Sequence, residues 1–219
     1  MPEGPEIRRA ADRIGKALVG QRIERASLPY STFIGREHLI KGQTVVDVTS
    51  VAKAMLIRFQ NGWTMYSHNQ LYGRWTVNLK TTENKMRRSL RAEFQTEKHA
   101  VRLWSATDID LIPTAEEHLH SFLSTLGPDV LESAVDEGTL YAQLVSKKCF
   151  RKKAATLMLD QRSFAGLGNY LRSEILFSAN IHPDDRPCDL PEERLRAWAN
   201  AIKSVTWQAY KKGGVTVPE

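Results

Sequence analysis

The segment Ala54-Met55-Leu56-Ile57-Arg58-Phe59, Gln60-Asn61-Gly62, Trp63-Thr64-Met65-Tyr66-Ser67 constrains the fold more than any other stretch of this chain. Two apolar, β-rich runs flank a loop ending in Asn-Gly, the pair most at ease with the positive φ angles of a tight turn, so the segment predicts an antiparallel hairpin. Short runs of the same character recur around it, and they predict strands over 22–28, 44–49, 74–79, 90–96 and 100–105. Strands of this length, separated by turn signals, suit a two-layer sandwich. Ahead of them Ile7, Ala10, Ala11, Ile14, Ala17 and Leu18 recur at helical spacing until Gly20 ends the pattern.

From about Pro113 helical periodicity replaces alternation, with Gly127-Pro128-Asp129 punctuating the change. Helices are predicted over 116–126, 139–146, 152–160, 169–180 and 191–211. The expected class is α+β: an antiparallel β-sandwich with an N-terminal helix over residues 1–122, then an α-helical domain over 123–219. A chain of 219 residues accommodates two such domains of about 100 residues, each with its own core.

Charge narrows the partners. The chain carries 31 Lys and Arg against 25 Asp and Glu, a formal charge of +6, and 18 of the basic residues face 13 acidic ones within residues 1–122. That balance favours a polyanion, with nucleic acid the first candidate. Cys149 and Cys188 are isolated, without the CxxC pairs a structural zinc site needs, so no metal ligands are assigned. No apolar run reaches the length of a membrane span and no secretory start is present, which makes the expected location cytoplasmic and the thiols reduced.

Two segments carry chemistry. Met1-Pro2-Glu3-Gly4-Pro5-Glu6 places a proline where removal of the initiator methionine would free its secondary amine. An α-amino group, with an ordinary pKa of about 7.7 to 8.0, is partly unprotonated near neutral pH and is a competent nucleophile. On a sugar aldehyde carbon it would give an iminium that keeps its positive charge without a proton, beside Glu3 and Glu6 as proton-transfer groups. The same hexapeptide also reads as an ordinary helix start, with proline in the first turn and acids near the positive end of the dipole. The second segment is Ser163-Phe164-Ala165-Gly166-Leu167-Gly168-Asn169, where two glycines precede a helix N-terminus. Such an end binds anions, a DNA phosphate among them, although glycines in a plain helical turn serve packing equally well.

Joined to its flanks, the segment from Leu159-Asp160-Gln161 through Gly166-Leu167-Gly168-Asn169-Tyr170-Leu171-Arg172-Ser173-Glu174 resembles the helix-two-turn-helix of the formamidopyrimidine-DNA glycosylase and endonuclease VIII family. Pro2-Glu3-Gly4-Pro5-Glu6, Lys53 within Val51-Ala52-Lys53-Ala54, Gly127-Pro128-Asp129 and Lys212-Gly213-Gly214-Val215-Thr216 match that family in order and spacing. Ser67-His68-Asn69-Gln70-Leu71-Tyr72-Gly73 is similar to the endonuclease VIII branch, for which oxidised pyrimidines are the implied substrates.

The resemblance implies a monomeric, nucleoid-associated bacterial base-excision repair enzyme. Such an enzyme flips a damaged nucleotide out of duplex DNA and attacks C1′ of its sugar with Pro2, then eliminates the 3′ and 5′ phosphates. Glu3 is the implied proton shuttle, Glu6 a supporting acid, and Lys53 a phosphate contact near the lesion. Without the resemblance Lys53 reads as a solvated turn cation. Gln70, Leu71 and Tyr72 are implied to fill the space the flipped nucleotide leaves; otherwise Leu71 and Tyr72 read as core residues at a strand end. Gly168 and Asn169 are implied to bind phosphate, whereas Asn169 alone reads as an N-cap. Arg8, Arg9, Arg74, Arg87, Arg88 and Arg91 are further possible phosphate contacts.

Family members usually continue beyond the point of Val217-Pro218-Glu219 into a linker and a zinc ribbon whose arginine grips phosphate at the lesion. No cofactor is therefore expected for this chain, zinc belonging to that ribbon. A damage-binding module without strand cleavage stands as the alternative, and an enzyme using an N-terminal proline on small molecules as a weaker one.

Overall fold

The computed structural model describes residues 1–83 and 86–216; the Val217-Pro218-Glu219 end of the expected helical domain lies outside the described residues. The chain forms two compact units, one of residues 1–2 and 7–120, the other of Glu3–Glu6 and everything from Ser121 onward.

The first unit is an antiparallel sandwich of two four-stranded sheets. One sheet has the order β1 (Arg25–Ser27), β6 (Leu90–Gln95), β7 (His99–Trp104), β5 (Arg74–Leu79). The other has the order β2 (Val45–Val51), β3 (Ala54–Phe59), β4 (Trp63–His68), β8 (Asp108–Pro113). Ile57, Phe59 and Met65 of one sheet and Phe94, Val101 and Leu103 of the other share a core with Ile7, Ala11, Ile14 and Leu18 of the helix α1 (Gly4–Leu18). Phe59 meets Phe94 edge to face at 5.8 Å, an arrangement that adds to the gain from burial alone.

The predicted hairpin is β3–β4, but its loop is not built as expected. Gly62 adopts φ +79°, whereas Asn61 is not left-handed and instead donates its side-chain amide to the Leu39 carbonyl at 2.8 Å. Three loop residues with glycine last in the left-handed region are the next most common hairpin connection after the two-residue primed turns. Strand β8 escaped the sequence reading. Its Asp108-Ile109-Asp110-Leu111 does alternate, with Ile109 and Leu111 buried, but its acidic half resembles a loop. The helix predicted over 116–126 is also absent. Two short 3-10 turns, Thr114–Leu119 and Leu123–Thr125, stand there with His120 extended between them. No leucine of that stretch is buried, and Glu117 is tied to the sheet by two bonds to Arg58, at 2.8 and 2.7 Å, and one from Thr64 at 2.6 Å. An α-helix lives on packing of an apolar face, which this segment lacks.

The second unit is helical. Helices α2 (Glu137–Leu144), α4 (Asn169–Ser178) and α5 (Glu192–Lys211) enclose a core of Leu140, Leu144, Leu171, Ile175, Trp198 and Ile202 with Phe164 and Leu167 from the intervening turns. Helix α3 (Ala154–Leu157) is a single turn where 152–160 was expected. Asp160 stops it: its carboxylate takes the Arg162 N–H at 3.0 Å, the Ser163 hydroxyl at 3.0 Å and the Lys152 ammonium at 2.7 Å, closing the chain into a turn. Among the described residues no helix is long and apolar enough to cross a membrane.

Candidate active site and DNA-binding elements

In the helical unit the turn before α4 is rigidly braced. The Gln161 side chain accepts the Gly166 N–H at 3.1 Å and donates to the Leu167 carbonyl at 2.8 Å, so one amide spans the turn. Gly127-Pro128-Asp129 lies alongside as a paired rung, with Gly127 N–H to Gln161 O at 2.9 Å and Ala165 N–H to Pro128 O at 2.9 Å. A Cβ at Gly127 would stand 2.5 Å from the Arg162 carbonyl oxygen, which explains the glycine.

The N-terminal segment docks onto this turn. Gly4 N–H donates to Gly166 O at 2.8 Å, and the Glu3 carboxylate accepts the backbone N–H groups of Tyr170 at 2.9 Å and Leu171 at 3.3 Å. Glu3 is 3 % exposed, so a buried carboxylate occupies the positive end of α4, where orphan N–H groups and the helix dipole favour the anion. Glu6 accepts the Tyr170 hydroxyl at 3.1 Å and the Glu3 N–H at 3.0 Å, which fixes the backbone carrying Glu3. Pro2, one peptide bond away, is partly buried.

This arrangement revises two expectations. The anion at the Gly-x-Gly helix end is the protein's own Glu3, and Gly168 is glycine because a Cβ there would lie 2.7 Å from Glu3 Cγ and nearer still to its carboxyl atoms. Asn169 is not the N-cap. Gly168 holds that position, and the exposed Asn169 side chain accepts from Arg172 at 2.7 Å. Sequence reasoning named Glu3 and Gly168 separately and missed that each explains the other.

In the sandwich unit Lys53 sits in the two-residue turn between β2 and β3, where Val51 pairs with Ala54. It is 6 % exposed, not a solvated cation. Ala52 before it has φ +55°, a conformation that costs an L-residue roughly 1 kcal/mol and that glycine adopts freely. Ala52 is also buried at 2 % exposure, so Ala52→Gly sets relief of that backbone against loss of a buried methyl worth about 0.8 kcal/mol, and the urea midpoint should move by less than about 0.5 kcal/mol equivalent at unchanged slope.

The stretch after β4 forms a closed turn. Asn69 O accepts the Gly73 N–H at 2.7 Å, and a Cβ on Gly73 would stand 2.5 Å from that oxygen. At the crown Leu71 is 62 % and Tyr72 68 % exposed, so neither is a core residue. Gln70 is left-handed at φ +50°, accepts the Thr107 hydroxyl at 2.7 Å through its amide oxygen, and donates its backbone N–H to His68 Nδ1 at 3.1 Å. Arg88 secures the far side by donating to Tyr72 O at 2.6 Å. Burial, reinforced by the Lys53 charge and opposed by Asp108, holds the His68 imidazole below its ordinary value, so it stays neutral. Of the other arginines expected at phosphates, Arg91 is turned to Tyr30 and the Ala106 carbonyl, Arg8 lies 3.8 Å from Asp12, and Arg74 and Arg87 are exposed.

A two-sheet sandwich followed by a helical unit whose two-turn loop receives the N-terminal carboxylate defines a class of DNA glycosylases, and comparison with known proteins agrees. Residues 1–107 match the formamidopyrimidine-DNA glycosylase N-terminal domain and residues 126–219 the formamidopyrimidine-DNA glycosylase H2TH domain, and the chain belongs to this family. Its relatives include the endonuclease 8 of Pectobacterium carotovorum, 38 % identical over 219 residues covering all of this chain and 83 % of that protein. The endonuclease 8 of Klebsiella pneumoniae is 37 % identical over 215 residues, 98 % of this chain and 82 % of that protein. The fold also superposes, with a TM-score of 0.83 and 22 % identity, on Lactococcus lactis formamidopyrimidine-DNA glycosylase bound to DNA containing an abasic site, over 98 % of this chain and 82 % of that one.

Proposed function

We infer that this protein excises oxidised pyrimidines from duplex DNA and cleaves the strand at the resulting abasic site. The observation that carries the reading is Glu3: a buried carboxylate, held by two N–H donors at a helix end, one residue from a proline that methionine removal turns into a secondary amine. The Pro2 nitrogen attacks C1′, the base departs with the bonding electrons, and the nitrogen's proton passes to the Glu3 carboxylate. Glu3, now neutral, returns that proton to the ribose ring oxygen as the C1′–O4′ bond opens, which leaves the iminium. The iminium acidifies the C2′ hydrogen. Its removal expels the 3′ phosphate, a second elimination expels the 5′ phosphate, and hydrolysis releases Pro2. Glu6, through Tyr170 and the Glu3 N–H, keeps the shuttle in place.

Lys53 and the Asn169 side chain serve as phosphate contacts. Gln70, Leu71 and Tyr72 enter the duplex where the nucleotide has left, since unstacking a base costs a few kcal/mol that inserted side chains partly return. Two exposed apolar side chains on a turn with no slack suit a wedge better than a surface loop.

The test is product mapping on duplexes carrying thymine glycol, 8-oxoguanine or an abasic site. Met-free protein should leave a one-nucleotide gap with phosphate on both ends, fastest at the abasic site and faster at thymine glycol than at 8-oxoguanine. Tight binding to these duplexes with no scission would select the damage-binding alternative instead.

A further inference from the structure

We propose that His68 is a positioning residue that locks the Gln70-Leu71-Tyr72 wedge in its inserting conformation by accepting the Gln70 backbone N–H on Nδ1. The inference rests on the wedge reading above, and goes beyond it by assigning what holds the wedge. Gln70 sits at φ +50°, unfavourable for a side chain that is neither glycine nor asparagine, and needs a compensating interaction. Position i accepting the N–H of position i+2 is the bond that Asn and Asp side chains make when they close a turn, and here an imidazole makes it.

Nδ1 accepts only if it carries no proton, so His68 must be the neutral Nε2–H tautomer. Burial disfavours the charged ring and keeps it neutral; Asp108, the cross-strand partner of His68 on β8, pulls the other way, and Lys53, from the β2–β3 turn, adds a smaller opposition to a second positive charge. Asp108 also accepts the Tyr66 hydroxyl at 3.3 Å, and Tyr66 stacks on His120 with ring centroids 4.0 Å apart. The same imidazole thus touches the wedge through a hydrogen bond and the candidate phosphate lysine through its charge. Protonation of His68 removes the acceptor and replaces it with a second donor facing the Gln70 N–H.

The δ position is the decisive test. Asn at position 68 places an oxygen where Nδ1 stood, whereas Gln places its polar atoms near Nε2. His68→Gln should raise KM for duplex abasic DNA about 5- to 10-fold, as expected for one lost hydrogen bond, with kcat within about 2-fold, and His68→Asn should restore KM to within about 2-fold. Wild-type KM should rise as pH falls below the ordinary histidine value, and that of His68→Asn should not. Amide NMR of the wild-type protein checks the bond without any DNA: Nε2–H tautomer at neutral pH, and a Gln70 amide shift that tracks the His68 titration. Equal effects of the Asn and Gln variants, or an Nδ1–H tautomer, overturn the proposal. The wedge reading is tested separately by replacing Leu71 and Tyr72 with glycine, which should raise KM on duplex whatever His68 does.

Discussion

Protein freed of Met1 is expected to be captured on abasic-site duplex by borohydride as a covalent adduct whose cross-linked peptide begins at Pro2, whereas protein retaining Met1 should give none. The difference is one of electronic structure. In Met1-Pro2 the proline nitrogen is an amide, its lone pair delocalised into the carbonyl, and it cannot attack C1′. Loss of a covalent nucleophile removes the step it carries, so strand cleavage by the Met1-bearing form should fall by at least ~10³-fold. Affinity for the same duplex should change little, because Lys53, Asn169 and the wedge lie elsewhere in the sequence. The form with both measured is therefore its own control for folding. Pro2→Gly, which leaves a primary amine, should still form a trappable adduct but more slowly. An adduct of undiminished yield from the Met1-bearing protein would relocate the nucleophile to the Met1 amine or a lysine, which mapping of the cross-linked peptide distinguishes, and end the Pro2 reading.

What the sequence made legible follows from how local each signal is. The β3–β4 hairpin and α1 are written in contiguous periodicity, and both stand where expected. Strand β8 was hidden because Asp108 and Asp110 occupy its solvent-side positions, so half its pattern resembles a loop. The segment after it carries leucines at helical spacing, yet the Arg58–Glu117 pair draws it onto the sheet, and no local pattern reports a partner 59 residues away. The candidate site divides the same way. Pro2, Glu3, Lys53 and the Gly-x-Gly turn were recognisable as residues, but their relations were not. Glu3 reaches Tyr170 and Leu171 across 167 and 168 positions, and that contact gives Gly168 a role the sequence does not display, admitting the Glu3 side chain. The left-handed backbone at Ala52 and Gln70 was equally invisible, since neither residue type advertises it.

Gly168→Ala is expected to damage both stability and chemistry, through Glu3. Gly168 has φ −139° and ψ −156°, outside the left-handed region, so glycine is not required by the backbone. The added Cβ would instead overlap the Glu3 side chain, which is buried and pinned by two N–H groups. To make room the carboxylate must leave the α4 N-terminus. That forfeits the cap, worth about 1 kcal/mol, and adds an overpacking cost of about 1–3 kcal/mol, which together should lower Tm by about 5–10 °C. On the mechanism proposed above, the displaced carboxylate no longer stands where it would receive the Pro2 proton, so base excision should fall by about 10²- to 10⁴-fold. The decisive measurement is a double-mutant cycle. Glu3→Ala alone loses the cap and the shuttle, but it also vacates the space a Cβ would occupy. Adding Gly168→Ala in that background should cost less than about 0.5 kcal/mol, or even stabilise, because alanine restricts the unfolded chain more than glycine does. Equal damage by Gly168→Ala in both backgrounds would mean that the glycine serves something other than Glu3, such as close approach of DNA. A wild-type level of excision by Gly168→Ala would show that the carboxylate can work from another position.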